Sequence, residues 1–499
     1  MNSSITRITS VVVFAALFTT LFYKQNFGLN VLLFETSLIG FLFFSKRITT
    51  NKEVLLTVAG TLLTALMVVV HNSILAILIN MMSVYLMIGT LLIPKARSLP
   101  HSALMSVVHS LMSHIELVKE FGQLGSTYSR FGSVVKWLRI VAIPVFIVLI
   151  FITMYSAANP VFDGMLEGIT RRIDQFASLI AEWIELGVLA FFIFSMFVCD
   201  FLVLKTVEKN LERNALNEKD DLERKRKPNR DLKIDLGLKR EWRSGILLLG
   251  ALNLLLLLIN IIDIYWVWFN FEWNGDYLKQ FVHEGTSILI ISILISIAIS
   301  MYLFRGNQNF FSKGIWLKRL AIAWLVQNMV LALSVGVRNF HYIQYYALAH
   351  KRIGVVFFLV ATLIGLALVI IKIKDKKTLH FVFRTNAISI YTILVIMTCV
   401  NWDVFIVKYN FKNYESTFTH FDFLWDLSYT TLPYQHQSLE FLKKVELSNR
   451  HFPSDVEYLT PVVYQERVKN STIVFKDDWE DRDWRSWNWA YQNAYSKLK

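Results

Sequence analysis

Cysteine and catalytic motifs are scarce in this sequence, and each absence excludes a class of site. Only two cysteines occur among 499 residues, Cys199 and Cys399, and both lie inside apolar runs. This excludes a disulfide framework and a thiolate metal centre, and it predicts a packing role for both side chains. The P-loop, GxGxxG, HExxH, CxxC and GxSxG patterns are also missing, so the common nucleotide, metalloprotease and hydrolase signatures are excluded.

Patterns that bind metal ions are missing as well. His101, His109 and His114 are spaced too irregularly for a helical metal site. The acidic segment DDWEDRD at 477–483 lacks the glycine and the terminal Glu of a calcium loop. We read this segment as the start of a helix, where carboxylates stabilise the helix dipole. The sequence therefore predicts no metal site, no cofactor and no catalytic residue.

Long apolar runs are what the sequence has in abundance. Hydrophobic residues make up 55% of the chain, and the mean hydropathy is +0.45. Continuous runs favour helices over barrel strands, so we predict an all-α polytopic membrane bundle of about eleven transmembrane helices. The first run follows Arg7 but no cleavage site follows it, so we predict a retained span. The predicted spans are 8–23, 28–44, 53–70, 74–94, 138–157, 183–204, 245–268, 286–304, 317–337, 353–373 and 387–407.

The net charge of +13 reflects membrane topology. Its cations concentrate in alternate loops, as expected for cytoplasmic loops under the positive-inside rule, so we predict no nucleic-acid partner. The N-terminus is then cytoplasmic and the C-terminus extracytoplasmic. The loop that contains Arg338, Lys351 and Arg352 is the exception, because this threading places its cations outside.

Two regions are predicted from this threading, a transmembrane domain at 1–408 and an extracytoplasmic aromatic-rich tail at 409–499. The tail is predicted to be a small α+β cap with short strands at 462–464 and 473–475. The charged cytoplasmic loop at 205–244 is predicted to extend the sixth span as a solvated helix. Apolar residues recurring between 103 and 118 predict an amphipathic helix on the inner membrane surface.

Polar residues inside the apolar runs are the candidate binding residues, because such residues are costly in a bilayer. Glu35 lies in the second span and is the leading candidate for a group that takes up a proton or pairs with a cation. Asn253, Asn260 and Asp263 lie on neighbouring faces of the seventh span and predict a polar seam. That seam is either a transport path or a set of interhelical hydrogen bonds. Asp200, near a span end, is predicted to be solvated or to snorkel towards the membrane surface.

Two polar connectors are further candidates. Arg338, Tyr345, Lys351 and Arg352 form a dense cationic connector that either binds an anionic headgroup or substrate or simply anchors two spans. His283 and Glu284 precede the eighth span, and they are candidates for a binding site or for capping and anchoring.

Several segments resemble bacterial multipass membrane proteins grouped as domain-of-unknown-function families 4173 and 4153. The resemblance implies a protein of the bacterial cytoplasmic (inner) membrane and carries no assigned activity. The positions it singles out are Asn159, Pro160, His283, Glu284, Tyr345, Lys351, Arg352 and Asn410. The matching words are FYKQNFGLNVLLF at 22–34, SAANPVF at 156–162, FVHEGTSILI at 281–290, IQYYALAHKRIGV at 343–355, VKYNF at 407–411 and DFLWDLSYTTLP at 422–433.

Three functional hypotheses follow from these observations. The first is a non-enzymatic membrane protein, either transporter-like or an accessory in envelope assembly, and it rests on the polar residues of the second, seventh and ninth spans. The second is a membrane enzyme that acts on lipid or envelope precursors at the two connectors. The third is a sensor or scaffold whose tail meets a partner. The lipid bilayer and envelope proteins are the predicted partners, and the sequence leaves the oligomeric state open.

Overall fold

The computed structural model describes residues 4–127, 186–224, 232–271, 275–311, 313–451 and 459–499, with single positions at 148, 152 and 162. Side chains are described over somewhat less, since those of 123–127, 232–236 and 275–287 lie outside the description. Within this part of the chain the secondary structure is helical, and the sole β-bridge joins Asp221 to Lys377. The all-helical prediction is therefore confirmed for the described residues. Two compact units divide the chain.

The first unit comprises Met1–Val69, Asn80–Leu216 and Asp483–Trp487. Its first helix packs against the second, fifth and sixth helices. Val11, Phe14 and Ala15 point into this core from the first helix, at the spacing of one helix face. The helices that lie wholly or mainly in the unit are α1 (Ser4–Phe22), α2 (Leu29–Phe44), α3 (Lys52–His71), α4 (Ile74–Leu92), α5 (Leu99–Thr127), α6 (Leu186–Val203) and α7 (Lys209–Asn217).

The second unit comprises Val70–Ile79, Asn217–Arg482 and Asn488–Lys499. Its central helix α10 packs against α8, α9 and α11, and α11 packs against α12. The helices are α8 (Leu232–Asp263), continued by a π-helix (Ile264–Phe269), α9 (Gly275–Leu303), α10 (Ile315–Tyr346), α11 (His350–Asp375), α12 (Leu379–Met397), α13 (Trp402–Lys412), α14 (Phe421–Trp425), α15 (Leu432–Gln435), α16 (Leu439–Asn449), α17 (Pro461–Glu480) and α18 (Trp489–Leu498).

Seven helices in the described residues are long and apolar enough to cross a membrane. Leu29–Phe44, Gly187–Val203 and Ile288–Leu303 are apolar but shorter. The predicted span at 138–157 lies almost wholly outside the described residues. The helices are consistent with a multipass membrane protein, and the count of eleven stays a prediction. The seven are Ser4–Phe22, Lys52–His71, Ile74–Leu92, Gly237–Phe269, Ile315–Tyr346, His350–Asp375 and Leu379–Met397.

The last predicted span, 387–407, is wrong in its bounds. The apolar helix runs from Leu379 to Met397, and a separate helix begins at Trp402. Asn401 caps this new helix, since its side chain accepts a hydrogen bond from the Val404 backbone N–H. Asn is a preferred cap residue because its side chain satisfies an otherwise unpaired amide of the first turn.

The two strands predicted in the tail are also wrong, because 462–464 and 473–475 both lie inside α17. Tyr464, Val468 and Phe475 are buried at helical spacing along this helix. The short apolar groups are parts of that helical period. Thr460 caps the helix and Pro461 occupies its first turn, an arrangement that starts helices well. In the described tail residues the cap is helical and contains no β-strand.

Two helix predictions at charged segments are wrong. The acidic segment at 477–483 ends α17 instead of starting a helix, and Asp478 pairs there with Arg482 at 2.5 Å. The charged loop after α6 is not a continuous extension, because α6 ends at Val203. Its Asp220 binds Arg384 at 2.7 Å, so tertiary ion pairs fix this loop.

Candidate functional site

A polar seam runs between α8 and α10 in the second unit. The Gln327 side-chain amide donates to Asn253 Oδ1 at 2.9 Å, and Asn260 Nδ2 donates to the Gln327 carbonyl at 3.1 Å. Asn253 Nδ2 also donates to the Leu320 carbonyl at 3.1 Å. Residues later in α8 therefore contact residues later in α10, so the two helices run in the same direction.

A buried ion pair continues the seam. Arg338 Nη2 lies 2.5 Å from Asp263 Oδ1, and each side chain is only 6% exposed. The α-helix changes to a π-helix at the next residue, Ile264. Trp268 Nε1 in that π-helix donates to Ser334 Oγ at 2.8 Å, so the altered turn also contacts α10. Single π-turns inside helices are frequent at functional sites.

The seam contains buried hydrogen-bond acceptors that have no partner among the described residues. Asn260 Oδ1, Asp263 Oδ2 and Gln327 Oε1 have no hydrogen-bond partner among the described residues. The amide orientations are fixed by the network, because Asn260 Nδ2 and Asn253 Nδ2 both donate to backbone carbonyls, which accept only. Gln327 must then present its amide nitrogen to Asn253. Three neighbouring positions along one interface thus present oxygen atoms.

The outer face of α8 is apolar, in contrast to the seam. Leu254, Leu258 and Ile261 are 67%, 59% and 55% exposed. An apolar outer face with a polar inner face is the reverse of a helix in water. In a bilayer, lipid covers the outer face and the polar residues turn towards the bundle interior. The sequence-predicted seam of Asn253, Asn260 and Asp263 therefore lies where a polar path through the bundle would be built.

The unpaired oxygens of the seam can bind a hydrogen-bond donor or a cation. An unpaired buried acceptor costs about 1–3 kcal/mol relative to a hydrogen-bonded one. Each of these oxygens can accept a hydrogen bond from water or a hydronium ion, and each can coordinate a small cation. Asp263 is the carboxylate of the group, and its charge is balanced by Arg338 at 2.5 Å. Among the described residues no cluster of three His, Cys, Asp or Glu side chains is placed to hold a metal ion.

The other residues of the cationic connector have local contacts. The Arg352 guanidinium donates to the Tyr346 carbonyl at 2.5 Å and lies over the Tyr342 ring, 4.5 Å from its centroid. The Tyr345 carbonyl accepts from the Phe418 N–H at 2.7 Å, and Lys351 is exposed. These contacts hold the turn between α10 and α11 against the end of α10 and against the segment at Phe418. His283 and Glu284 lie in α9, but their side chains are outside the described part of the chain.

Glu35 has a separate site in the first unit. It is 5% exposed, and its Oε2 accepts from Asn80 Nδ2 at 3.0 Å. Asn80 Nδ2 also lies 3.2 Å from Thr64 Oγ1. The predicted burial of an acid in the second apolar helix is thus found in the structure. The role of Glu35 as a proton-titrating or cation-pairing group stays a prediction.

The amphipathic helix predicted between 103 and 118 forms, as part of α5, with its apolar face exposed and its polar face packed into the first unit. The apolar residues Leu111 and Ile115 are 69% and 57% exposed, whereas Ser106 and His109 are fully buried. The polar face points into the unit, where Glu120 binds Arg7 at 2.6 Å. The sequence already indicates this polar face, because the serines at 102, 106 and 113 recur on one face of a helix.

The Asp200 carboxylate is buried rather than solvated, contrary to the prediction. It is fully buried and accepts from Ser113 at 3.2 Å, and it lies 2.8 Å from His114 Nδ1. Its partners come from α5, more than eighty residues earlier in the chain. A position near a span end suggested a solvated or snorkelling side chain, whereas the polar face of α5 packs against Asp200 and buries it.

Comparison with known proteins identifies the family of the chain. The model of the family described as "Domain of unknown function (DUF4153)" matches residues 58–437, which is 380 of the 499 residues. The chain belongs to the DUF4153 family. The DUF4153 match contains every residue of the α8/α10 seam and excludes Glu35 and the final helices α16, α17 and α18. No curated protein and no solved structure matches the chain.

Proposed function

We propose that this DUF4153 protein is a transporter-like membrane protein that moves a proton or a small cation along the α8/α10 seam. The observation that carries the proposal is the buried Asp263–Arg338 pair beside Asn260 and Gln327, whose side-chain oxygens have no partner among the described residues. A proton or cation is favoured because every one of these three atoms accepts hydrogen bonds.

Energetics support a functional reason for these residues. A buried ion pair gives little net stability, because desolvation of the two charges offsets their attraction. Polar side chains inside membrane helices add about 0.6 kcal/mol each on average when they only join helices. A seam built for stability alone would use apolar side chains. The π-helix after Asp263 adds a local irregularity at the same place.

The proposed location is the cytoplasmic membrane of a bacterium, with the N-terminus inside and the C-terminus outside. Contacts within the first unit support this threading. The Ser486 hydroxyl bonds to the Asn26 N–H at 2.9 Å and to Gln25 Oε1 at 2.8 Å. The loop after the first span and the segment 483–487 therefore lie on the same side of the membrane, as the threading requires.

Ion flux into proteoliposomes tests the proposal. Vesicles containing the full chain should take up protons or a monovalent cation faster than empty vesicles under an imposed potential. Asn260→Leu keeps a similar side-chain volume but removes the seam amide, and it should lower the flux about tenfold, the effect of 1.4 kcal/mol. Asp375→Asn removes an exposed carboxylate at the end of α11 and should leave the flux unchanged.

Two outcomes would end the transport proposal. One is wild-type flux equal to that of empty vesicles for protons, sodium and potassium. The other is an Asn260→Leu flux equal to the wild type. Either would favour the accessory role in envelope assembly.

A further inference from the structure

A second polar site lies apart from the seam, between the beginning of the apolar part of α8 and the end of α9. It is a pocket of about 420 Å³. Ligand pockets in proteins commonly have volumes of a few hundred cubic ångströms. The side chains that line it and matter for its chemistry are Arg240, Glu241, Ser244, Tyr302, Arg305 and Gln308.

Gln308 lies in the wall of the pocket and is almost wholly buried. It is only 4% exposed, and neither its amide nitrogen nor its amide oxygen has a hydrogen-bond partner among the described residues. A buried amide with both ends unpaired is costly, since each group loses its water without replacement. An apolar side chain at this position would remove that cost.

The loop that carries Gln308 is held in place from several directions. Lys372 Nζ donates to the Phe304 carbonyl at 2.6 Å, and Asn309 Nδ2 donates to the same carbonyl at 2.7 Å. Asn309 Nδ2 also donates to the Gly306 carbonyl at 2.8 Å. These bonds fix the backbone on both sides of Arg305. The pocket is thus preorganised, which lowers the entropy cost of binding a ligand.

The charged groups favour an anion. Arg305 stacks on the Tyr302 ring with its Cζ 3.7 Å from the centroid, which orients the guanidinium plane. Its Nη2 is 3.8 Å from Glu241 Oε1, too far for a hydrogen bond. Arg240 lines the same pocket and forms no ion pair within the described residues. Two guanidinium groups face one carboxylate, and arginine is the side chain best shaped for phosphate.

We propose that this pocket binds a phosphate ester that carries free hydroxyl groups. The two arginines bind the phosphate oxygens, and Glu241 accepts a hydrogen bond from a hydroxyl group. An anionic phospholipid headgroup such as phosphatidylglycerol and a soluble ester such as glycerol 3-phosphate share this chemistry. Basic pockets between membrane helices are established binding sites for anionic headgroups.

Native mass spectrometry of the purified full chain tests this assignment with phosphatidylglycerol and phosphatidylcholine as probes. Wild-type protein should bind phosphatidylglycerol more tightly than phosphatidylcholine. Arg305→Gln should weaken phosphatidylglycerol binding about tenfold, the effect of losing roughly one charge-assisted hydrogen bond. Gln308→Leu should leave phosphatidylglycerol binding unchanged and the thermal unfolding midpoint equal or higher, because it removes an unpaired buried amide without changing the charged groups.

The control is Arg319→Gln, which removes an exposed cation on α10 that does not line the pocket. It should leave phosphatidylglycerol binding unchanged. Competition by millimolar glycerol 3-phosphate would assign the site to soluble esters, and binding of phosphatidylglycerol without such competition would assign it to lipid. If neither probe binds selectively, or if Arg319→Gln weakens binding as much as Arg305→Gln, the assignment is overturned.

Discussion

Asp263→Asn is expected to lower the free energy of unfolding by about 3–5 kcal/mol, because it removes the carboxylate that pairs with the buried Arg338 guanidinium. The two charged atoms are 2.5 Å apart and both side chains are 6% exposed, so the lost interaction is that of a buried ion pair. The loss should appear as a large drop in the thermal unfolding midpoint of the detergent-purified protein. Asp375→Asn, at an exposed position, should change the midpoint little.

Replacing both members of the pair should cost less stability than replacing Asp263 alone. Asp263→Leu with Arg338→Met substitutes apolar side chains of similar size, and it leaves no buried guanidinium without its carboxylate. The double variant should therefore unfold at a higher temperature than Asp263→Asn and yet lose ion flux in proteoliposomes. Flux at the wild-type level in this variant would show that the pair is structural and that the transport path lies elsewhere.

Asn410→Ala is expected to destabilise the second unit by about 2–5 kcal/mol, because two buried backbone groups would lose their partners. Asn410 binds both polar groups of Leu348, accepting from its N–H at 2.7 Å and donating to its carbonyl at 3.0 Å. The preceding residue, Ala347, has a φ of 61°, a conformation that costs a residue with a Cβ atom energy. Asn410 therefore holds a strained turn between α10 and α11.

A matched control is available one helix turn away. Asn413→Ala removes the same type of side chain, but Asn413 Nδ2 donates only to the Tyr409 carbonyl of its own helix. Its cost should be well below that of Asn410→Ala. Adding Ala347→Gly to Asn410→Ala should restore part of the loss, since glycine adopts this φ without strain. Equal unfolding midpoints for Asn410→Ala and Asn413→Ala would contradict the role given to Asn410.

The seam on α8 could be predicted from sequence because its residues interrupt a long apolar run. Asn253, Asn260 and Asp263 are separated by seven and three residues, which places them near one face of a helix. Hydrophobic context and helix period are local properties. The partner of Asp263 was not predictable in the same way, since Arg338 lies 75 residues further along the chain. The sequence assigned Arg338 to an external connector, and the fold pairs it with the seam.

The errors come from signals that only tertiary structure resolves. Val462 to Tyr464 and Ile473 to Phe475 have the β-branched and aromatic residues of strands, yet the buried positions from Pro461 to Trp479 follow a helical period. The longer period decides the structure because a helix can bury all of them on one face.

The water accessibility of the seam tests the central claim most directly. In a background with Cys199→Ala and Cys399→Ser, Asn260→Cys places a thiol in the seam and Ile261→Cys places one on the exposed apolar face of α8. Only a thiolate reacts with a charged methanethiosulfonate reagent, and a thiol in lipid stays protonated. The seam predicts rapid labelling of Asn260→Cys and no labelling of Ile261→Cys in membranes. Labelling of Ile261→Cys alone, or of neither residue, would contradict a water-filled path along α8 and α10.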